Sequence, residues 1–206
     1  MKKILFISLI ALFCCNNKKI SDKNTVENTK QELVKDYSNY HNEAKAFIEK
    51  NNFNETYYYL VDLNEHSGKN RFFIYNFKQQ KITDRNLVTH GSCDQFEENP
   101  EKWQKVKFDV RNDSHCSMDG KYKIGKRDYS SWGINVKYWM LGLEKTNNTA
   151  VKRVVVLHSW EAVKNEEIYP KYSPLSWGCP AVSNEFMEKL DNQLQQVQKP
   201  VLLWII

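Results

Sequence analysis

A string of short β-forming runs constrains this chain more than any other feature. TYYYLVDL (56–63), RFFIYNF (71–77) and KITDRNLVTHG (81–91) are rich in β-branched and aromatic residues, and HSGKN (66–70) supplies a turn between the first two. A charged loop, DQFEENPEKWQK, interrupts them. Further strands are expected at KYKIG (121–125), INVKYWMLGL (134–143) and VKRVVVLHSW (151–160), and VLLWII (201–206) reads as a closing buried strand. Two stretches carry helical spacing instead. From Gln31 to Asn51 the apolar positions Leu33, Val34, Tyr37, Tyr40, Ala44, Phe47 and Ile48 fall three and four apart, so an amphipathic N-terminal helix is expected within 31–54. NEFMEKLDNQLQQV (184–197) forms the second, capped by Ser183 or Asn184 and ended by Lys199-Pro200. The expected fold is mostly β (α+β), with the N-terminal helix and one C-terminal helix packed on the strands.

The start of the chain bears on its compartment. MKKILFISLIALFCC sets Lys2 and Lys3 before an apolar run from Ile4 to Phe13 and two cysteines. A bilayer span needs roughly 20 apolar residues, whereas a secretory signal needs about 7–15 behind a basic start. The ending LFCC resembles the lipobox of bacterial lipoproteins, with Leu12 aliphatic, Cys14 small and Cys15 as the lipid acceptor. Residues 1–14 are therefore expected to be a lipoprotein signal; cleavage before Cys14, or an ordinary signal with two bystander cysteines, are the alternatives. From Cys15 to Lys30 the chain is polar, mixed in charge and free of aromatics, which suits a tether between an anchor and the catalytic part, residues 55–206 with their helix. The expected setting is the cell envelope, on a membrane face toward the periplasm. The formal charge of +5 is mild, and no basic stripe interleaves with stacking aromatics, so nucleic acid is not an expected partner.

Two of the five cysteines lie in that leading segment. Cys93 and Cys116 either pair or stay as free thiols, and spacing does not choose between these. Cys179 is the odd one, and its setting is unusual. SPLSWGCPAV (173–182) frames it with turn-forming residues, whereas a thiol kept for packing normally sits inside an apolar run.

His158 ends the most strongly β-forming run, and Cys179 follows after a loop rich in Tyr and Pro. A histidine at a strand end and a cysteine on a later turn can face each other across a cleft. A free thiol is only a few per cent ionised at neutral pH; a neighbouring imidazole can take its proton and later return one to a leaving amine. Gly178 lets the turn tighten, the N–H groups around Trp177 to Cys179 can point at an oxyanion, and Ser176 can hold the loop. The plain alternative is a satisfied core histidine and an inert thiol. Spacing alone leaves the two open.

The ordered set of segments narrows the choice. His158 followed by SWGCPAV resembles the signature of the YkuD-like L,D-transpeptidase catalytic domain, in the Ser-x-Gly-Cys-Pro branch of murein L,D-transpeptidases. RFFIYNFKQQKI with VTHG, CSMDGKYKIG, and YWMLGLEKTNNTAVKRVVVLH resemble further stretches of that branch, covering about residues 55–206. The resemblance implies a β-sandwich or barrel with its site in a cleft and no cofactor. Cys179 is then the nucleophile on a peptidoglycan stem peptide, forming a thioester that an amine acceptor resolves. Water as acceptor would make the protein an L,D-carboxypeptidase or a hydrolase of protein cross-links. His158 becomes the base, oriented by a backbone carbonyl, with Ser176, Trp177 and Gly178 shaping the oxyanion loop. The chain departs from many relatives, which carry histidine at the position of Trp177 and arginine at that of Ala181. Arg153, on the strand before His158, is the expected substitute for that arginine, or else an outward strand residue.

Trp132, Trp139, Trp160, Tyr169, Tyr172 and Trp177 crowd toward the motif. Trp160 and Tyr172 either wall the cleft or build core, and Trp139 is expected in the core. His90 and His115 each come near a cysteine without metal-ligand spacing, so no metal is expected. A sortase would need an arginine after the cysteine, and residues 180–206 contain none. Papain-like hydrolases place cysteine before histidine, opposite to the order here. From another class, a non-catalytic peptidoglycan-binding lipoprotein would have no use for a thiol on an open turn. Neither oligomeric state nor acyl acceptor is encoded in any recognisable pattern.

Overall fold

The computed structural model describes residues 35–206. The expected signal, Cys15, the tether and residues 31–34 of the expected helix lie outside the described residues. Asp36–Ile206 is organised by one eight-stranded mixed sheet. In chain order the elements are α1 (Ser38–Asn51), β1 (Tyr57–Val61), β2 (Phe72–Asn76), β3 (Lys81–Asn86), β4 (Gly120–Tyr129), β5 (Val136–Gly142), β6 (Val156–Ser159), β7 (Ala181–Val182), α2 (Asn184–Gln195) and β8 (Leu202–Ile205). Across the sheet they stand β3-β2-β1-β8-β4-β5-β6-β7. The closing segment is thus a central strand, parallel to β1 and antiparallel to β4.

Central strands buried on both faces explain the continuous apolar runs. Tyr57, Tyr59 and Val61 of β1 join Leu203 and Ile205 of β8 in a core that also takes Phe186, Met187, Leu190 and Leu194 of α2. The intervening Tyr58, Leu60, Leu202 and Trp204 face the other way, onto Ala44 and Ile48 of α1. Period-two alternation in the strands therefore sends one set of side chains to each helix. Each large apolar side chain so buried stabilises the fold by about 1.5–3 kcal/mol.

Several boundaries differ from the sequence expectation, each for a local reason. Helix α1 starts at Ser38, the described residues 35–37 before it being non-helical, because the Asp36 carboxylate accepts from the Ser38 N–H at 2.9 Å and from the Ser38 hydroxyl at 2.6 Å, turning the chain there. It ends where Asn52 adopts φ 57° and returns its N–H to Ile48 O. For α2 the cap is Ser183, whose Oγ accepts from the Phe186 N–H at 3.2 Å. The run VKRVVVLHSW yields only Val156–Ser159 as strand. Val151 and Val154 are 53% and 50% exposed and lie in turns, with Val154 at φ 56°. Their β preference has no pleated surface to pack on, so turn bonds prevail. Arg153 accordingly sits in a turn and not on a strand. In β5, Val136, Tyr138 and Met140 point into the core, which turns Trp139 outward. Trp139 is half-buried and donates Nε1–H to Asp128 Oδ2 at 3.1 Å, so the core placement expected for it is wrong.

Cys93 and Cys116 form a disulfide, settling the alternative left open above. Among the described residues no helix is long and apolar enough to cross a membrane.

Candidate active site

The site forms at the β6–β7 edge of the sheet. These strands run parallel with His158 opposite Ala181, two residues past Cys179. The His158 N–H reaches Pro180 O at 3.3 Å. A cleft of about 390 Å³ opens here, lined by Trp132, His158, Trp160, Leu175, Ser176, Trp177, Cys179 and Ala181. The histidine and the thiol singled out from sequence therefore line one cleft.

Both side chains are held by backbone. His158 Nδ1 lies 2.9 Å from Ser159 O. A carbonyl oxygen only accepts, so Nδ1 carries the hydrogen and Nε2 keeps its lone pair. No third side chain is needed to fix this tautomer. The Cys179 sulfur accepts from the Val156 N–H at 3.5 Å and lies 3.7 Å from Val154 O, to which the thiol donates. Burial holds the imidazole below its ordinary range and pushes the thiol above its own. The Val156 N–H and the Arg153 and Lys137 charges partly oppose the rise at Cys179. Both shifts favour the uncharged forms, so the resting pair is a neutral thiol and a neutral imidazole.

The turn before the thiol is shaped by close approach. Gly178 takes φ +103°, and a Cβ there would stand 2.5 Å from the Cys116 carbonyl oxygen. Only glycine fits both demands. Its N–H donates to Ser176 Oγ at 3.1 Å, which gives Ser176 the loop-holding role and removes the Gly178 amide from the set free to meet an oxyanion. Trp177 projects outward, 74% exposed, with its ring stacked on His115 at 4.6 Å between centroids and 4° between planes. Trp132 and Trp160, both lining the cleft, meet edge to face at 5.6 Å.

Two sequence candidates lie elsewhere. Arg153 is not a cleft-lining residue: Nη2 donates to Cys116 O at 2.6 Å and Nη1 to Asp109 O at 2.9 Å. Its guanidinium props the carbonyl against which Gly178 packs, and it places a positive charge near Cys179. Tyr172 stacks on His66 at 4.5 Å, away from the cleft lining. Trp160 does line the cleft. Sequence reasoning missed Leu175 as a wall residue, Lys137 as the register neighbour of His158 on β5, and the buried segment 87–92 running behind the loop. The signal for the last was present in LVTH, residues 87–90, which continue the β-forming run past the end of β3.

That segment is anchored from below. Fully buried Arg71 donates Nη2 to His90 Nδ1 at 2.8 Å and also to Val88 O at 2.7 Å. Since guanidinium only donates, Nδ1 accepts and His90 gives its Nε2–H to Lys102 O at 2.7 Å. Burial and the Arg71 charge lower this histidine to about 4, so it stays neutral. His90 is thus a structural link. Among the described residues no cluster of His, Cys, Asp or Glu is arranged to hold a metal.

Residues 27–203 match the model of the L,D-transpeptidase catalytic domain. The chain belongs to that family. Solved structures similar to this L,D-transpeptidase domain include an L,D-transpeptidase from Xylanimonas cellulosilytica (TM-score 0.40, 10% identity, covering 73% of this chain and 60% of that one). Bd1075 of Bdellovibrio bacteriovorus gives a TM-score of 0.45 at 15% identity, over 75% of this chain and 49% of that one. The helical cell shape determining protein Pgp2 of Campylobacter jejuni gives 0.38 at 15% identity, over 73% and 49%. The matched region thus spans between about half and three-fifths of those chains. No curated protein sequence matches the chain significantly.

Proposed function

We propose that this L,D-transpeptidase domain works through a Cys179 thioester on peptidoglycan stem tetrapeptides. The observation that carries the reading is the His158 tautomer: Nδ1–H is tied to Ser159 O, leaving a basic Nε2 in the cleft that holds the Cys179 thiol. His158 Nε2 takes the thiol proton as sulfur attacks the carbonyl that precedes the terminal D-alanine. The tetrahedral oxyanion is met by the backbone N–H groups of Trp177 and Cys179, the Gly178 N–H being taken by Ser176 Oγ, and collapse expels D-alanine, whose amine receives the proton from the imidazolium. The enzyme is left as a thioester. An acceptor amine then attacks, gives its proton to His158, and releases Cys179 as thiol with a new amide bond.

The test is incubation with a defined tetrapeptide muropeptide, with and without an amine acceptor. Wild type should release D-alanine and form the cross-linked product only with acceptor, and Cys179→Ala should do neither. Free tripeptide as the main product in the presence of acceptor would assign the L,D-carboxypeptidase reaction instead. No turnover of any stem peptide by wild type would point to a non-catalytic binding protein.

The setting we propose is the periplasmic face of a membrane, with the chain anchored through lipid on Cys15. A disulfide supports an oxidising compartment. Cys15→Ala should move the protein from the membrane pellet to the soluble fraction; retention in the pellet would sink the anchor.

A further inference from the structure

The backbone on either side of Cys179 has an unusual difficulty. Pro180 has no N–H, so the chain leaving the thiol cannot be pinned there by its own amide. The Cys179 carbonyl and the Ala181 N–H flank this gap, and Ala181 is fully buried. Both groups converge on one side chain. Thr89 Oγ1 donates to Cys179 O at 3.0 Å and accepts from the Ala181 N–H at 2.9 Å. The Thr89 N–H adds a third bond, to Ala181 O at 2.9 Å. Thr89 is 1% exposed and belongs to the segment whose next residues hold the other end of the loop, the Ser176 N–H meeting His90 O and the Ser92 N–H meeting Ser176 O, each at 2.9 Å.

We infer that Thr89 is a positioning residue for the nucleophile: its hydroxyl bridges the two peptide groups around Pro180 and so fixes the direction in which Cys179 presents its sulfur to the cleft. A hydroxyl is the smallest side-chain group that both donates and accepts, and the geometry uses it in both senses at once. Valine has nearly the same shape and supplies neither bond, leaving a buried carbonyl and a buried amide unpaired. The turn can then relieve them only by moving, and movement of the turn displaces the sulfur from its contacts with Val156 and Val154. Serine keeps both bonds.

The inference rests on Cys179 being the nucleophile, and the experiment separates the two claims. Wild type, Thr89→Val and Thr89→Ser are titrated with a carbapenem, an acylating mimic of the stem peptide, and the covalent adduct is followed by intact mass to give a first-order acylation rate and a half-saturation concentration. Thermal unfolding is recorded for each. Thr89→Val should lose roughly 10- to 100-fold in acylation rate, since misplacing a reacting atom by an ångström costs on that order. Its half-saturation concentration should change little, because the cleft walls are untouched, and Thr89→Ser should return the rate to within a few-fold of wild type. A Thr89→Val rate equal to wild type, or a Thr89→Ser rate as slow as Thr89→Val, overturns the positioning role. So does a Thr89→Val chain with no cooperative unfolding transition, which would make the hydroxyl a requirement for folding. A wild type that acquires no adduct at any concentration overturns the nucleophile assignment itself.

Discussion

His158 and Cys179 are shifted in opposite directions by the same cause, and this sets how activity responds to pH. Burial disfavours the imidazolium and the thiolate alike, so the neutral pair on which the proposed mechanism rests persists over a wide interval. Protonating His158 removes the base, which happens only below the ordinary imidazole range. Ionising Cys179 leaves no proton for the departing amine, which happens only above the ordinary thiol range. The kcat/KM profile should therefore be a broad bell, flat through neutral pH, with its acid limb displaced downward and its alkaline limb upward. A narrow bell with its limbs at the ordinary imidazole and thiol values would mean that burial shifts neither group, and would contradict this reading. At this scale the sequence singled out two residues that line one cleft, His158 and Cys179, because a thiol between Gly178 and Pro180 violates ordinary core patterning. It did not expose Thr89, Leu175 or the true partners of Arg153, because those roles follow from which carbonyl the fold brings near, and a hydroxyl or guanidinium carries no address of its own.

Among the elements, α2 is held to the sheet by more than its apolar face. Asp191 receives Arg127 Nε at 2.7 Å and Nη2 at 3.0 Å, and its Oδ1 accepts the Tyr138 hydroxyl at 2.7 Å. The Arg127 hydrogen bonds hold this carboxyl below its usual range. The unfolded chain therefore takes up the proton first as pH falls. The stability that Asp191 contributes is complete above the unfolded carboxyl value, about 4, and disappears as pH drops through the lower folded value. Asp191→Asn should be less stable than wild type at neutral pH, and the gap should narrow below about pH 4; chemical denaturation at several pH values reads this directly, and a constant gap would contradict it. The elements themselves were largely legible, since seven β-forming runs and two helical patterns each produced their element. What escaped was β7, two residues long and without a period to detect, and the truncation of β6, where exposed valines found no sheet to join. The pass from Asn86 into the segment behind the loop also escaped, because a stretch bonded to a loop has no repeat.

For the molecule as a whole, the disulfide joins the two segments that hold the 176–179 turn. Cys93 follows the residues that bond Ser176, and the Cys116 carbonyl lies against Gly178. Closing a loop of sequence separation 23 constrains the unfolded chain by about 3 kcal/mol. A Cys93→Ser, Cys116→Ser double variant should lose stability of that order and also lose acylation rate at temperatures where it stays folded. Full activity in the folded variant would show that the bridge serves stability alone. The same joining shows why a domain can keep a thiol on an open turn: a sheet edge, a disulfide-tied segment and a buried arginine–histidine link all hold the backbone around it. The most direct measurement is the intact mass of wild type and Cys179→Ala after exposure to saturating carbapenem. A single covalent adduct on wild type, slowed in His158→Ala and absent from Cys179→Ala, is the predicted result; an unmodified wild type, or an adduct that survives loss of Cys179, would contradict the account.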